Sequence, residues 1–324
     1  MSRAPIDRRA LMAAGMALGL APAVARAEPQ HVPEDFVRMP LWPGNPPGSD
    51  GVTAIEQETL RTPASPKDDT AFVHVRRPTI TMLRPARPNG GALLLIPGGG
   101  YSRVAIGHEG YQIARRFAAA GYHCYILVYR LPADGWAAGP DAPLQDAQRA
   151  LRLVRSRAAM DGFDPAEIGT IGFSAGGHLA ARLATQTDRQ AYTAIDAIDA
   201  LPLATMVAGL LYPVVLLDGP FVHRGSRTQM LGESPTPERE RAFSADSHIA
   251  PGTPPAFLAH ALNDASVPVE NSLAMLTALR AAKIPSELHL FETGGHGFGL
   301  ALPDGTPSPW PELFIGWARR HGMP

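Results

Sequence analysis

The sequence predicts an α/β fold: a mainly parallel sheet with helices on both faces and a short insertion at about 213–250. Two observations carry this. Short apolar runs alternate with segments of helical period from residue 76 onward, which implies crossovers between parallel strands. Several of the runs are apolar throughout, as strands covered on both faces must be.

Taken in order, "TITML" (79–83) alternates as a strand does, and "ALLLIP" (92–97) is a continuous apolar strand. "HEGYQIARRFAAAG" (108–121) sets Ile113, Ala114, Phe117 and Ala118 on one helical face, with Gly121 at its end. "YHCYILVYR" (122–130) is a second buried strand, and its Cys124 reads as a buried strand residue. "APLQDAQRALRLVRSRAA" (142–159) steps Leu144, Ala147, Leu151, Val154 and Ala158 by threes and fours, so it is a helix. "IGTIGF" (168–173) is a strand that runs straight into the helix "AGGHLAARLA" (175–184). "MVAGLLY" (206–212), "PAFLAHA" (255–261) and "SELHLFE" (286–292) are further strands; "ENSLAMLTALRAA" (270–282) and "WPELFIGWARRHG" (310–322) are helices. Residues 28–75 are rich in Pro and polar residues and read as a loop-rich segment packed on the domain at 76–324.

Residues 1–27 read as an export signal rather than as fold. Arg3, Arg8 and Arg9 precede the short apolar run "ALMAAGMALGL" (10–20), and Ala25-Arg26-Ala27 offers a small-residue cleavage site. The run is too short to anchor the chain in a membrane. Arg8-Arg9 with Leu11 resembles a twin-arginine signal, and an ordinary secretory signal fits nearly as well. The expected location is periplasmic or extracellular. Without this segment, 29 basic and 30 acidic residues become 25 and 29, a net charge of −4. That charge does not suit a nucleic-acid partner, and the sequence forms no basic stripe of the kind such a binder shows. With one cysteine, no internal disulfide holds the fold.

The strand-to-helix junction contains Gly172-Phe173-Ser174-Ala175-Gly176. Glycines at both ends permit a sharp turn, which lifts Ser174 out at the carboxyl end of the strand, where ligands of parallel sheets bind. The Ala175 N–H then points to the same place from a positive helix end. A serine hydroxyl needs a base, and the base an orienting acid. Asp264 follows one strand and His296 follows the next, in the glycine-rich loop "ETGGHGFG" (292–299). The other histidines are less well placed. His178 points away on the serine's own helix, His260 and His289 lie within strands, and His223 and His248 lie in the insertion. Asp246 is the next acid, in a stretch that reads as a turn cap.

Attack on a carbonyl makes an oxyanion, and Gly98-Gly99-Gly100 lets backbone N–H groups approach one closely. The loop is not a phosphate or dinucleotide loop: no Lys-Ser or Lys-Thr follows, and Arg103 stands at the last glycine position. His108-Glu109 is half a zinc motif, with Gln112 where the second histidine belongs, so no metal or cofactor is expected. Glu109 reads as a first-turn helix charge or a pocket residue, the former favoured. Tyr101 lines the pocket or packs as a core aromatic.

These residues together resemble the α/β-hydrolases, and within them the acetyl xylan esterase-like, carbohydrate-esterase branch close to the hormone-sensitive-lipase-like esterases. The resemblance covers roughly 39–318 and rests on "LWPG", "PGGGY", "HEGY", "YRLP", "GFSAGGHLA", "NDASVPVENS" and "GGHGFG" in this order. It implies an α/β-hydrolase fold with Ser174 as nucleophile, His296 as base, Asp264 as acid, and oxyanion N–H groups from Gly99, Gly100 and Ala175. Pro97 replaces the histidine that precedes the triple glycine in lipase-like relatives. The implied substrate is a short-chain, acetyl-type ester on plant polysaccharide or oligosaccharide. A general small-ester hydrolase, a peptidase, and a non-catalytic binding protein on the same fold are the alternatives.

Overall fold

The computed structural model describes residues 32–324; the segment 1–27, read above as an export signal, lies outside them. Among the described residues, no helix is long and apolar enough to cross a membrane.

The strands are β1 (Val37–Pro40), β2 (Gln57–Leu60), β3 (Thr70–Val73), β4 (Thr79–Leu83), β5 (Ala92–Ile96), β6 (His123–Val128), β7 (Ile168–Phe173), β8 (Ala208–Leu211), β9 (Ala256–Ala261) and β10 (Ser286–Phe291). The helices are α1 (Gln112–Ala119), α2 (Ala142–Asp161), α3 (Ser174–Thr185), α4 (Arg224–Leu231), α5 (Pro237–Phe243), α6 (Glu270–Ala281) and α7 (Trp310–Arg320). Eight strands form one sheet in the order β1-β4-β6-β5-β7-β8-β9-β10, and β2 pairs with β3 beside it. β1 and β4 run antiparallel to their neighbours; the rest of the large sheet is parallel. β5, β6, β7, β8 and β9 are buried along their whole length, which is why their sequences are unbroken apolar or small-residue runs.

Successive residues of a strand face opposite layers, and β7 shows both. The Phe173 ring packs against Trp310 of α7, and a Cβ at Gly172 would meet Ala180 of α3. Phe117 of α1 packs on Trp310 and Phe314, so α1 and α7 share the first layer; α2 and α3 pack together in the other. The insertion folds into α4, α5 and a 3-10 turn at Ala245–His248, where Asp246 ion-pairs with Arg241.

Elements differ from the sequence reading in two regions. Within 28–75, read as loop-rich, β2 and β3 pair antiparallel. Val37–Pro40, inside the segment read as loop, is an edge strand of the main sheet; a proline is tolerated there because the outer edge needs no ladder donor. The helix expected over 108–121 begins as a π-turn, Gly107–Tyr111, before α1.

The N-terminal segment is fastened by a buried ion pair. Arg130 and Asp146, with fully buried side chains, meet at 2.9 Å. Trp42 Nε1 donates to Asp146, Arg130 donates to the Pro47 carbonyl, and the guanidinium lies 5.0 Å from the Trp136 ring centroid and 5.7 Å from that of Trp42. "LWPG" and "YRLP" are therefore two sides of one joint. Removing one partner leaves a buried charge without its counter-ion, so Asp146→Ala is expected to cost about 3–5 kcal/mol by urea denaturation. A loss below about 1 kcal/mol would contradict this role.

His178 is fully buried in α3; its Nδ1 faces the Tyr101 hydroxyl and its Nε2 the Phe243 carbonyl, each at 2.8 Å. Burial, with the Arg182 charge adding to it, holds its pKa down to about 3. An unfolded histidine takes up a proton near pH 6.5, which the folded chain refuses until about pH 3. Stability therefore falls as pH drops through that window, and His123, also held down by burial, adds with the same sign. The urea midpoint is expected to decline from pH 7 to pH 5, and more shallowly in His178→Gln. Equal slopes would exclude His178 as a source.

Candidate active site

β5 and β7 are hydrogen-bonded neighbours with Ile96 opposite Gly172. The chain has crossed from one side of β5 to the other between them, so the loop after Pro97 and the turn at Ser174 leave the sheet side by side at the switch point. β9 and β10 end further along the same rim, with Phe291 opposite Ala261. The loops that follow carry Asp264 and His296.

The turn at Ser174 is strained. Ser174 has φ +52, a left-handed conformation, between an extended Phe173 and the first turn of α3. A Cβ at Gly176 would lie 2.1 Å from the Ile96 carbonyl oxygen, and one at Gly172 2.4 Å from that of Gly176. Only glycine permits this approach of helix and strands. Ser174 is 5 % exposed.

His296 Nε2 lies 2.8 Å from Ser174 Oγ, and its Nδ1 lies 2.7 Å from Asp264 Oδ2. The carboxylate can only accept, so Nδ1 carries the proton and Nε2 presents its lone pair to the serine hydroxyl. The three side chains assigned from strand-end position thus meet in one chain of hydrogen bonds. Burial by itself would raise the Asp264 carboxyl, but hydrogen bonds from His260 and His296, the His296 charge and the Val267 N–H hold it well below the usual carboxylate range.

The glycine loop supplies donors beside this chain. Gly99 has φ +127, and a Cβ there would sit 2.3 Å from the Arg103 carbonyl oxygen. A Cβ at Gly100 would meet nothing closer than His223 and Ser102, each 3.9 Å away. The Gly98 N–H is taken by Glu109. Among the described residues, the N–H groups of Gly99 and Gly100 donate to no protein acceptor. Ala175, in the first turn of α3, lies next to Ser174. Such an array can stabilise charge on a carbonyl oxygen attacked by Ser174.

Two sequence assignments need correction. Tyr101 does not line the site: its side chain is fully buried, edge-on to His178 and bonded to it through the hydroxyl. Its backbone is left-handed (φ 60), which turns the ring inward beneath the loop. Glu109 stands in the first turn of its helix, as the favoured reading has it, but its carboxylate is buried against protein donors rather than solvated. It is 5 % exposed, with Oε2 on the Gly98 N–H at 2.6 Å and Oε1 on the Tyr212 hydroxyl at 3.1 Å.

Sequence reasoning also passed over His260 and His223. His260, fully buried in β9, places Nε2 3.2 Å from Asp264 Oδ2 and 3.0 Å from the Val267 carbonyl, while Ser272 Oγ meets its Nδ1. Both Nε2 partners accept, so Nε2 carries the proton and steadies the acid. Nothing in the sequence marks this contact, because four-residue spacing joins side chains on a helix and His260 lies in a strand. His223 caps α4 by accepting the Ser226 N–H on Nδ1. Burial, then the His296 charge, lower its pKa from the ordinary histidine value, and its ring lies beside the glycine loop, 3.9 Å from where a Cβ at Gly100 would sit.

The BD-FAE family model matches residues 84–279. The chain is 33 % identical over 232 residues to endo-1,4-beta-xylanase B of Butyrivibrio fibrisolvens, covering 70 % of this chain and 34 % of that protein. It is 31 % identical over 223 residues to the acetylxylan esterase of Xylanibacter ruminicola, covering 67 % and 42 %. The chain thus spans between a third and a half of the length of these relatives. Among solved structures, it resembles an acetyl ester-xyloside bifunctional hydrolase from Caldicellulosiruptor lactoaceticus at 32 % identity and a TM-score of 0.70, over 89 % of this chain and 97 % of that one.

Proposed function

The chain belongs to the BD-FAE family of α/β-hydrolases, and on that premise we propose that it is an exported serine esterase that removes short acyl groups, acetyl above all, from plant polysaccharide or oligosaccharide. The observation that carries the chemistry is the 2.8 Å contact between Ser174 Oγ and His296 Nε2 at a strained strand-to-helix turn. In this reading His296 takes the hydroxyl proton as Oγ attacks the ester carbonyl. The oxyanion is held by the N–H groups of Gly99, Gly100 and Ala175. His296 then gives the proton to the leaving sugar oxygen, and an acyl-enzyme remains. Water, deprotonated by the same imidazole, releases the acid and restores Ser174.

The substrate class is supported by the names of two relatives, an acetylxylan esterase and an acetyl ester-xyloside hydrolase. Export is supported by the basic start and small-residue cleavage site within 1–27, and suits a polymeric substrate. A panel of acetyl, butyryl and feruloyl esters, free and on polysaccharide, tests the assignment. Acetyl esters are expected to give the highest kcat/KM, and acetylated xylan to release acetate. Preference for butyryl or feruloyl esters, or cleavage of simple aryl esters with no acetate from xylan, would overturn the substrate class and favour a general carboxylesterase.

A further inference from the structure

The "HEGY" stretch has no part in the chemistry described so far, yet its first two side chains touch both loops that the chemistry needs. They leave consecutive positions of the π-turn Gly107–Tyr111, an irregularity that recurs at functional sites. Glu109 Oε2 accepts the Gly98 N–H at the root of the glycine loop. That peptide lies against the nucleophile: a Cβ at Gly98 would be 2.8 Å from the Ser174 Cβ and 2.9 Å from Glu109 Oε2. Glu109 Oε1 accepts the hydroxyl of Tyr212, which is fully buried and whose ring stands edge-on to His296, centroids 5.3 Å apart. His108 Nε2 donates to the Gly297 carbonyl at 2.8 Å, directly after His296. The same ring fills the space at Gly299, where a Cβ would come within 2.7 Å of it.

We propose that His108 and Glu109 are a positioning pair that fixes the oxyanion loop and the His296 loop relative to each other. Each contact removes a freedom that would blur the site. By taking the Gly98 N–H, Glu109 sets the orientation of that peptide, and the following N–H groups of Gly99 and Gly100 are left for a ligand oxygen. Through Tyr212 the same carboxylate supports the face of the imidazole. His108 holds the Gly297 backbone that directly follows that imidazole. Neither residue needs to touch substrate. A displacement of a donor by a fraction of an ångström weakens the transition state more than the bound ester, because the oxyanion geometry exists only in the former. Glutamine at 109 can still accept from Gly98 with its oxygen and donate to the Tyr212 oxygen with its amide, whereas alanine keeps neither contact.

The inference rests on the esterase reading, and the test separates the two. Kinetics on an aryl acetate are paired with binding of an alkyl boronic acid, a probe that forms a tetrahedral adduct with a nucleophilic serine. Glu109→Ala is expected to lower kcat by about 10²–10³-fold, the scale of one lost oxyanion donor, with KM within about threefold. Boronate affinity should weaken in parallel with kcat/KM, and affinity for the product alcohol should hold. Glu109→Gln should recover most of the loss, and Tyr212→Phe and His108→Ala should each lower kcat by about tenfold with KM unmoved. Should Glu109→Ala fail to fold, Tyr212→Phe and His108→Ala carry the test alone. If the variants keep wild-type kcat and boronate affinity, or lose activity only in step with thermal stability, the positioning role is wrong. If wild-type protein neither cleaves the ester nor binds the boronate, it is the esterase reading that fails.

Discussion

Replacing Ser174 with alanine is expected to lower kcat for an aryl acetate by about 10⁶-fold, the scale found when the nucleophile of a complete triad is removed. The proposed mechanism has one nucleophile and no bypass. His296 faces Ser174 Oγ at 2.8 Å, and its other nitrogen is committed to Asp264. Without Oγ the imidazole could at best activate water from a position set for a hydroxyl. The substitution is structurally mild. Ser174 is left-handed at φ +52, and alanine bears the same strain without the hydroxyl. The fold and the glycine loop should persist, so KM should stay within about threefold and the melting temperature should change little. A residual rate within about tenfold of wild type would remove Ser174 from the mechanism.

The second large effect is expected from Asp264→Asn, about 10⁴-fold in kcat. The carboxylate is held by two pairs of donors. Oδ1 accepts the N–H groups of Ser266 and Val267, each at 2.9 Å, and Oδ2 accepts from His296 Nδ1 and His260 Nε2. The two backbone donors would pin the new amide oxygen at the Oδ1 position. Its NH₂ would then face His296 and force the ring into the tautomer with the proton on Nε2. That nitrogen could no longer accept from Ser174. The carboxylate charge that favours the imidazolium during attack would be lost too. Stopped-flow acylation by an aryl acetate reads this directly. A loss under about tenfold would mean that Asp264 does not orient the base.

Much of this site is legible in the sequence because its parts stand at strand ends. A parallel sheet delivers the residues after each strand to one rim, so Ser174, Asp264 and His296 are brought to that rim by an order of elements readable from apolar runs. Gly172 and Gly176 are legible for the same reason, since backbone approach leaves a mark in residue type. What escapes depends on contacts between distant segments. Glu109 meets a peptide 11 residues earlier and a hydroxyl 103 residues later, and no periodicity marks either. Tyr101 looks like a pocket residue until its left-handed backbone turns it inward. β1 is hidden by its proline, because composition does not distinguish an edge strand from a loop. His260 reads as one more strand residue until Asp264 folds back over it.

The central claim is that the Ser174 hydroxyl is the activated nucleophile of this site. Incubating the protein with a fluorophosphonate, then weighing the intact chain and mapping its peptides, tests this most directly. The account predicts one adduct per chain, on Ser174, formed rapidly by the wild type and absent from Ser174→Ala. An unlabelled wild-type chain, or an adduct that forms equally well on the alanine variant, would contradict it.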